Sequence, residues 1–245
     1  MKKNYLFTLI FILLFSFSYS ANYYVATAAN GGSDGNAGTE ASPWLTLTYA
    51  VSQASGGDTI NVGPGTFSSE CNIHVTSSQS GLRIVGHGRD ETIFDGSSGN
   101  ESCGFMAIQT DATLMNMTIQ NYTTTSSSGN ATYNAAGINI GGIRGSYNGN
   151  YVSSVIIQGV KFYNNAGNST GNYGGAISTV PNYAGPHTIY IYECIFFDNE
   201  ATSGWGGAIA TADGVTMYIR NSYFMDNVSF DQISMLNDLI GDKVK

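Results

Sequence analysis

The sequence predicts an all-β chain wound as a solenoid, a parallel β-helix with a short N-terminal capping helix. Three observations predict it. GGAIS at 174–178 recurs as GGAIA at 206–210, a shift of 32, and a looser copy, AAGIN, stands at 135–139. An F-x-x-N precedes each GGAI, Phe162 to Asn165 and Phe196 to Asn199, and a third, Phe224 to Asn227, continues the series at intervals of 34 and 28 residues. With those asparagines superposed, Val155, Ile157, Val160 and Phe162 fall over Ile189, Ile191, Cys194 and Phe196. Met217, Ile219, Ser222 and Phe224 follow, and Ala112, Leu114, Met117 and Ile119 form a weaker early copy. The step of two within each pair is the period of a strand with one buried face, and the step of three between pairs marks a bend. Repeats that vary by insertion fit a solenoid, where loops differ and the cross-section does not.

Each element can be justified in chain order. Residues 1–20 have the form of an export leader: basic Lys2 and Lys3, an apolar run from Leu6 to Phe15, then small residues at Ser18-Tyr19-Ser20, so the mature chain is expected to begin at Ala21. The run is short for a hydrocarbon core of ~30 Å. Residues 21–67 are expected to form an N-terminal cap and the first coil. Tyr23-Tyr24-Val25 makes a strand, Gly31 to Gly38 a loop, and Pro43 opens a helix with Leu47, Ala50, Val51 and Ala54 on one apolar face. Gly56-Gly57 ends that helix, and Thr59-Ile60-Asn61-Val62 begins the coils. A short amphipathic helix suits the exposed end of a solenoid. Residues 68–229 are the β-helix proper. Residues 230–245 are a C-terminal tail or truncated end, in which Ile233, Leu236, Leu239 and Ile240 fit one side of a short helix.

Composition agrees. Only 11% of the 245 residues are charged and 31 are Gly, which argues against a helical bundle, while 42% hydrophobic and 12% aromatic residues argue against disorder. Nine basic residues against seventeen acidic give a net charge of −8. Without a basic patch to neutralise phosphates, nucleic acid and anionic membrane surfaces are poor partners. Cys71, Cys103 and Cys194 are an odd set at wide spacing, neither a disulfide framework nor a zinc site, and Cys194 reads as a core residue. Asn165, Asn199 and Asn227 stand where the chain leaves a strand, suited to left-handed backbone and to amide hydrogen bonds between coils. The Gly pairs suit turns and close backbone approach.

Two stretches carry resemblances. YYVATAANGGSDGNAGT through PWLTLTYAV to GDTINVGPGTF resembles the opening of secreted β-helix proteins of the pectate-lyase-like superfamily, which implies a right-handed parallel β-helix. The F-x-x-N plus GGAI pairing, over residues 134–227, resembles the repeats of chlamydial polymorphic outer-membrane proteins. That likeness implies display at the bacterial surface, often as an adhesin. No β-barrel translocator or sorting segment follows Asn227, so outer-membrane association would need a missing or separate element.

Catalytic patterns are sparse. Gly86-His87-Gly88 matches a tripeptide of polygalacturonases, but the NTD, DD and RIK motifs of that family are missing, and His87 is expected in a turn between strands. Gly167-Asn168-Ser169-Thr170-Gly171 fits the letters of a nucleophile elbow without its strand–turn–helix setting. A lyase would need a base, for which Lys161, Arg144 and Arg220 are candidates, and often calcium, for which there is no clear ligand cluster. Asp198 and Asp226 occupy equivalent turns and read as solvated polar positions. Sequons at Asn121 and Asn130 carry little weight in a chain so rich in Asn. The outward columns are more informative: Ile156, Tyr190 and Tyr218 align, as do Tyr163, Phe197 and Met225. Tyr190, Tyr192 and Tyr218 therefore form a candidate ligand-binding patch for glycans or molecules on neighbouring cells, unless an inserted loop covers them. The expectation is a secreted or surface-displayed protein with an adhesin-like binding role, no cofactor and no enzymatic activity. The alternative is a carbohydrate-active β-helix enzyme, a polysaccharide lyase or glycoside hydrolase.

Overall fold

The computed structural model describes residues 20–68, 70–98, 103–125, 135–141, 154–168, 174–179, 187–202, 205–211 and 214–229. The leader through residue 19, Asn130, Arg144, Ser169 to Gly171 and the tail 230–245 lie outside the described residues.

A short strand with alternating faces buries its inner side chains only when an equivalent strand stacks on it, and this chain repeats that solution coil after coil. Strands Asn22–Val25, Thr59–Val62, Leu82–Gly86, Ala112–Met115, Ser154–Gln158, His187–Tyr192 and Val215–Arg220 stack in that order as a seven-stranded parallel sheet. A six-stranded sheet holds Gly65–Phe67, Thr92–Asp95, Thr118–Gln120, Lys161–Tyr163, Ile195–Phe197 and Tyr223–Met225. A five-stranded sheet holds Ile73–Val75, Met106–Ile108, Ile138–Ile140, Ile177–Thr179 and Ile209–Ala210. From the third coil onward a four-stranded sheet is added, built of Thr123–Thr125, Ala166–Asn168, Glu200–Ala201 and Val228–Ser229. The architecture is a right-handed parallel β-helix.

The predicted columns are the observed registers. Val155 pairs with Ala112 and Ile189, Ile157 with Leu114 and Ile191, and Met217 and Ile219 continue both rows. Ile119, Phe162, Phe196 and Phe224 form the next column. The rings of Phe162, Phe196 and Phe224 stack at 5.0 and 4.6 Å with interplanar angles of 7° and 6°. Ile60 and Ile84 extend the Leu114 row backwards, and Phe67 and Phe94 extend the Ile119 row, so one core runs through the described coils. The GGAI copies also stack: Gly174 bridges Ala135 and Gly206, and Ile138, Ile177 and Ile209 pair across three coils. A Cβ on Gly175 would lie 2.1 Å from the Gly207 carbonyl oxygen, so here only glycine allows the backbones to approach.

The asparagine ladder forms, but the left-handed turn sits one residue earlier than expected. Asn164, Asp198 and Asp226 have φ of 52°, 58° and 55°, whereas Asn165, Asn199 and Asn227 do not adopt positive φ. The preceding residue makes the bend, leaving the asparagine free to turn its amide inward. Asn165 Nδ2 donates to Asn199 Oδ1 at 3.0 Å, and Asn199 Nδ2 donates to Asn227 Oδ1 at 2.9 Å. Asp198 and Asp226 are thus turn formers, a conformation Asn and Asp tolerate.

An outer polar ladder runs beside it. Asn121 Nδ2 donates to Asp95 Oδ1 at 3.0 Å, Gln120 Nε2 to Asp95 Oδ2 at 2.8 Å, and the Ser97 N–H to Asp95 Oδ1 at 2.9 Å. Partial burial raises the carboxyl pKa, but these hydrogen bonds outweigh it and hold the group down at about 2. A carboxyl depressed in the folded state stabilises the protein above its unfolded value of 3.8, and that contribution is lost as pH falls towards 2. Asp95→Asn is expected to flatten the acid dependence of stability across that window, as urea midpoints measured at successive pH values will show.

The cap corrects a second expectation. Pro43 does not open the helix; helix α1 spans Leu47–Gln53, with Thr46 as N-cap accepting from the Tyr49 N–H at 3.1 Å. Trp44 is held as a strand partner, donating its N–H to Tyr24 O at 2.8 Å and accepting from the Ala26 N–H at 2.9 Å, so the helix cannot start before Thr46. The helix also ends earlier than Gly56-Gly57, with Ala54 as C-cap. Leu47, Ala50, Val51 and Ala54 are buried over the first coil, as the periodicity predicts. The sequence assigned no role to Glu70, which is 3% exposed. Its carboxylate accepts from the Leu47 N–H, from the Thr48 N–H at 3.0 Å and from Thr48 Oγ1 at 2.6 Å, satisfying donors that a helix start leaves free. Burial pushes its pKa up, opposed by those hydrogen bonds.

Candidate functional site

Alternation along a strand sends every second side chain outward, and stacking then lines equivalent outward residues into rows. On the seven-stranded sheet two such rows run the length of the solenoid. One is Asn22, Thr59, Arg83, Thr113, Ile156, Tyr190 and Tyr218; the other is Tyr24, Asn61, Val85, Met115, Gln158, Tyr192 and Arg220. The predicted patch residues Tyr190, Tyr192 and Tyr218 therefore share one face. The Tyr190 and Tyr218 rings stack at 5.4 Å with an interplanar angle of 12°, and Tyr192 packs against Tyr190 at 5.9 Å. Tyr218 is 45% exposed, while Tyr190 and Tyr192 are half-buried. The second predicted row also forms: Tyr163 and Phe197 stack at 5.4 Å and 7°, next to Met225, with Lys161 Nζ lying 5.1 Å from the Tyr163 ring centre. Of the candidate bases, Lys161 is thus engaged with Tyr163, and Arg220 stands beside Tyr192 in register.

At its N-terminal end the same face becomes a cleft of about 380 Å³. It is lined by Tyr24, Asn61 and Val85, which continue the Tyr192 row, by Asn30, Glu40 and Pro43 of the cap loop, and by Gly86 and His87. His87 occupies the predicted turn after strand Leu82–Gly86, and its Nε2 lies 3.5 Å from Glu91 Oε2. The cleft thus places a carboxylate and an imidazole, the latter paired with a second carboxylate, at the end of a face that also carries Arg83 and Arg220. Such a set can exchange protons with a bound hydroxyl or glycosidic oxygen. Sequence reasoning singled out His87 but not Glu40, Tyr24 or Asn61, which meet only because the cap loop folds back over the first three strands. From the Val85 strand to the Tyr190 strand there are three inter-strand steps, about 14 Å.

The remaining motifs stay dispersed. Gly167 and Asn168 continue strand Ala166–Asn168, and no helix follows them in the described residues. Among the described residues no group of three or more His, Cys, Asp or Glu gathers to hold a metal ion, and no helix is long and apolar enough to cross a membrane.

No protein-family model matches the chain, and no curated protein matches it. Solved structures do. A rhamnogalacturonan lyase aligns with a TM-score of 0.44 and 14% identity, over 84% of this chain and 62% of its own. Pectin methylesterase PemA from Erwinia chrysanthemi aligns at 0.33 and 10%, over 76% and 56%. A pectin methylesterase in complex with hexasaccharide VII aligns at 0.35 and 11%, over 83% and 66%. The chain thus spans less than two thirds of each of these proteins. The likeness is one of fold and is distant. It agrees with the β-helix resemblance, while the finer resemblance to polymorphic outer-membrane repeats finds no support. The expectation of a protein without enzymatic activity finds no support here: the solved structures that match are a lyase and two pectin methylesterases, and at this distance the likeness carries the fold alone.

Proposed function

We propose that the chain is an exported, carbohydrate-active β-helix protein that lays a glycan along the outward face of the seven-stranded sheet. The observation that carries this reading is the near-parallel Tyr190–Tyr218 stack, exposed at Tyr218. The apolar faces of sugar rings pack on flat aromatic surfaces, while their hydroxyls need the polar neighbours that Gln158, Thr113 and Asn61 supply along the same two rows. The Tyr24–His87 cleft, in line with that platform, is the place for chemistry on one linkage or substituent, with Glu40 and His87 as proton carriers and Glu91 orienting the imidazole. The net charge of −8 disfavours polyanions at low salt and points to a neutral glycan.

The triple variant Tyr190→Ser, Tyr192→Ser, Tyr218→Ser is expected to keep its melting temperature and lose at least tenfold in affinity, since truncating a contact aromatic costs about 1–2 kcal/mol or more. Affinity electrophoresis through gels containing neutral and acidic polysaccharides will measure this; wild-type retardation of the variant would reject the platform. His87→Ala and Glu40→Gln are expected to leave affinity intact and slow product formation about 100-fold or more. Reducing-end, unsaturated-product and de-esterification assays check it, and unchanged turnover in both variants would remove the cleft from the mechanism.

A further inference from the structure

Cys71 and Cys103 are 32 residues apart, the same shift that separates the GGAI copies, and the fold turns that interval into contact. The Asn72 N–H donates to Gly104 O at 2.8 Å, the Ile73 N–H donates to Phe105 O at 3.1 Å, and Ile73 pairs with Met106. The two cysteines therefore lead into neighbouring strands of the five-stranded sheet. The hydrogen bond from Asn72, itself in a left-handed turn with φ of 54°, continues this alignment past the strand ends and sets the residues next to both cysteines against each other, as a disulfide between them requires. The two thiols influence each other, Cys71 being pushed down and Cys103 up in pKa by their interaction; Cys103 is buried in the core, and Cys71 packs against the core half-buried. Cys194 lies elsewhere, its Sγ directed to the carbonyls of Tyr192 and Ile157 at 3.2 and 3.5 Å.

We propose that Cys71 and Cys103 form a disulfide in the exported protein, stapling the first coil to the second beneath helix α1. The bond would fix the segment that carries Glu70, whose carboxylate caps that helix and whose carbonyl accepts from Tyr122 Oη at 2.7 Å. Cys71 is the more accessible of the two residues, and its interaction with the Cys103 thiol lowers its pKa, which favours the thiolate. The Cys71 thiolate attacks the disulfide of an oxidant, a dithiol oxidoreductase or a small disulfide, giving a mixed disulfide and releasing one oxidant thiolate. The Cys103 thiolate then attacks the Cys71 sulfur and releases the second. Two protein thiols become one S–S bond, and their two electrons and two protons leave with the oxidant as dithiol.

The test uses the purified full chain incubated with excess oxidised glutathione, so that it does not depend on the export reading, and alkylated in denaturant before mass analysis. The expected result is one alkylated cysteine, Cys194, and three after reduction, with a linked peptide pair containing Cys71 and Cys103. Reduction is expected to lower the melting temperature by about 10 °C, the size expected for closing a loop of this length in a chain of this size. Cys194→Ala should leave no free thiol after oxidation, and Cys71→Ser should leave two and lose the thermal shift. Three alkylated thiols in the oxidised wild type, a glutathione adduct left on either cysteine, or a linkage to Cys194 would each overturn the proposal.

Discussion

Phe196→Asp is expected to abolish cooperative unfolding and the β-type circular dichroism spectrum. The side chain is 0% exposed and is sandwiched between Phe162 and Phe224 at 5.0 and 4.6 Å. Removing the ring forfeits about 3–5 kcal/mol of burial and packing, and the carboxylate adds several more because neither aromatic neighbour can accept or donate a hydrogen bond in its plane of contact. The sum reaches the whole stability of an ordinary domain, about 5–15 kcal/mol. The damage would not stay in one coil, since each coil is held by its neighbours and a failed middle step separates the two halves of the stack. Phe196→Leu, which keeps an apolar side chain in the column, is expected to remain folded with a loss of about 1–2 kcal/mol. Urea titrations of both variants decide the matter, and a soluble, cooperatively folded Asp variant of unchanged midpoint would refute the column.

What could be read from the sequence follows from how tightly each position is constrained. Phe162, Phe196 and Phe224 occupy equivalent sites under equivalent contacts, so the same residue recurs and the register is visible without coordinates. Parity then fixed the outward rows, because Tyr190 must point away if Ile189 and Ile191 point in. The first two coils were hidden for a matching reason. Phe67 and Phe94 belong to the same column, but they are followed by Ser68 and Asp95 rather than an F-x-x-N, so nothing marked the alignment. Coils there also lack the fourth strand into which the inward asparagine leads. The cleft was illegible because it joins Tyr24, Glu40, Asn61 and His87, residues that no period relates and that only the fold-back of the cap brings together. Glu70 reaches a helix start more than twenty residues earlier, and a lone carboxylate in a loop carries no sign of that. The cysteine pair is different: its interval equals a coil period, a signal present in the sequence but meaningful only once the period is taken as a distance.

Asn199→Leu is expected to destabilise the protein by about 4 kcal/mol although it swaps a buried polar side chain for an apolar one of similar size. Asn199 is 1% exposed and uses every hydrogen-bonding group it has. Its Oδ1 accepts from the Asn165 N–H at 3.1 Å and from Asn165 Nδ2 at 3.0 Å. Its Nδ2 donates to Asn227 Oδ1 at 2.9 Å, to Phe162 O at 3.1 Å and to Phe197 O at 3.2 Å. Leucine removes all five interactions and leaves the partners of a neighbouring coil buried, and each unsatisfied group costs about 1–3 kcal/mol, moderated because Asn165 Nδ2 still reaches Ile119 O at 3.0 Å. The strands on either side should persist, since their own ladders are untouched, so the loss belongs to the joint between sheets. Asn199→Asp separates the two halves of the interaction: the carboxylate still accepts from Asn165 but donates nothing to Asn227, Phe162 or Phe197, and it buries a charge. Its stability should therefore fall below that of the leucine variant at neutral pH and recover in part as pH drops, because protonation restores one donor and removes the charge. Equilibrium urea unfolding at pH 7 and pH 4 measures both effects. A leucine variant as stable as the wild type would mean that the ladder only fills space and that the phenylalanine column alone sets the register.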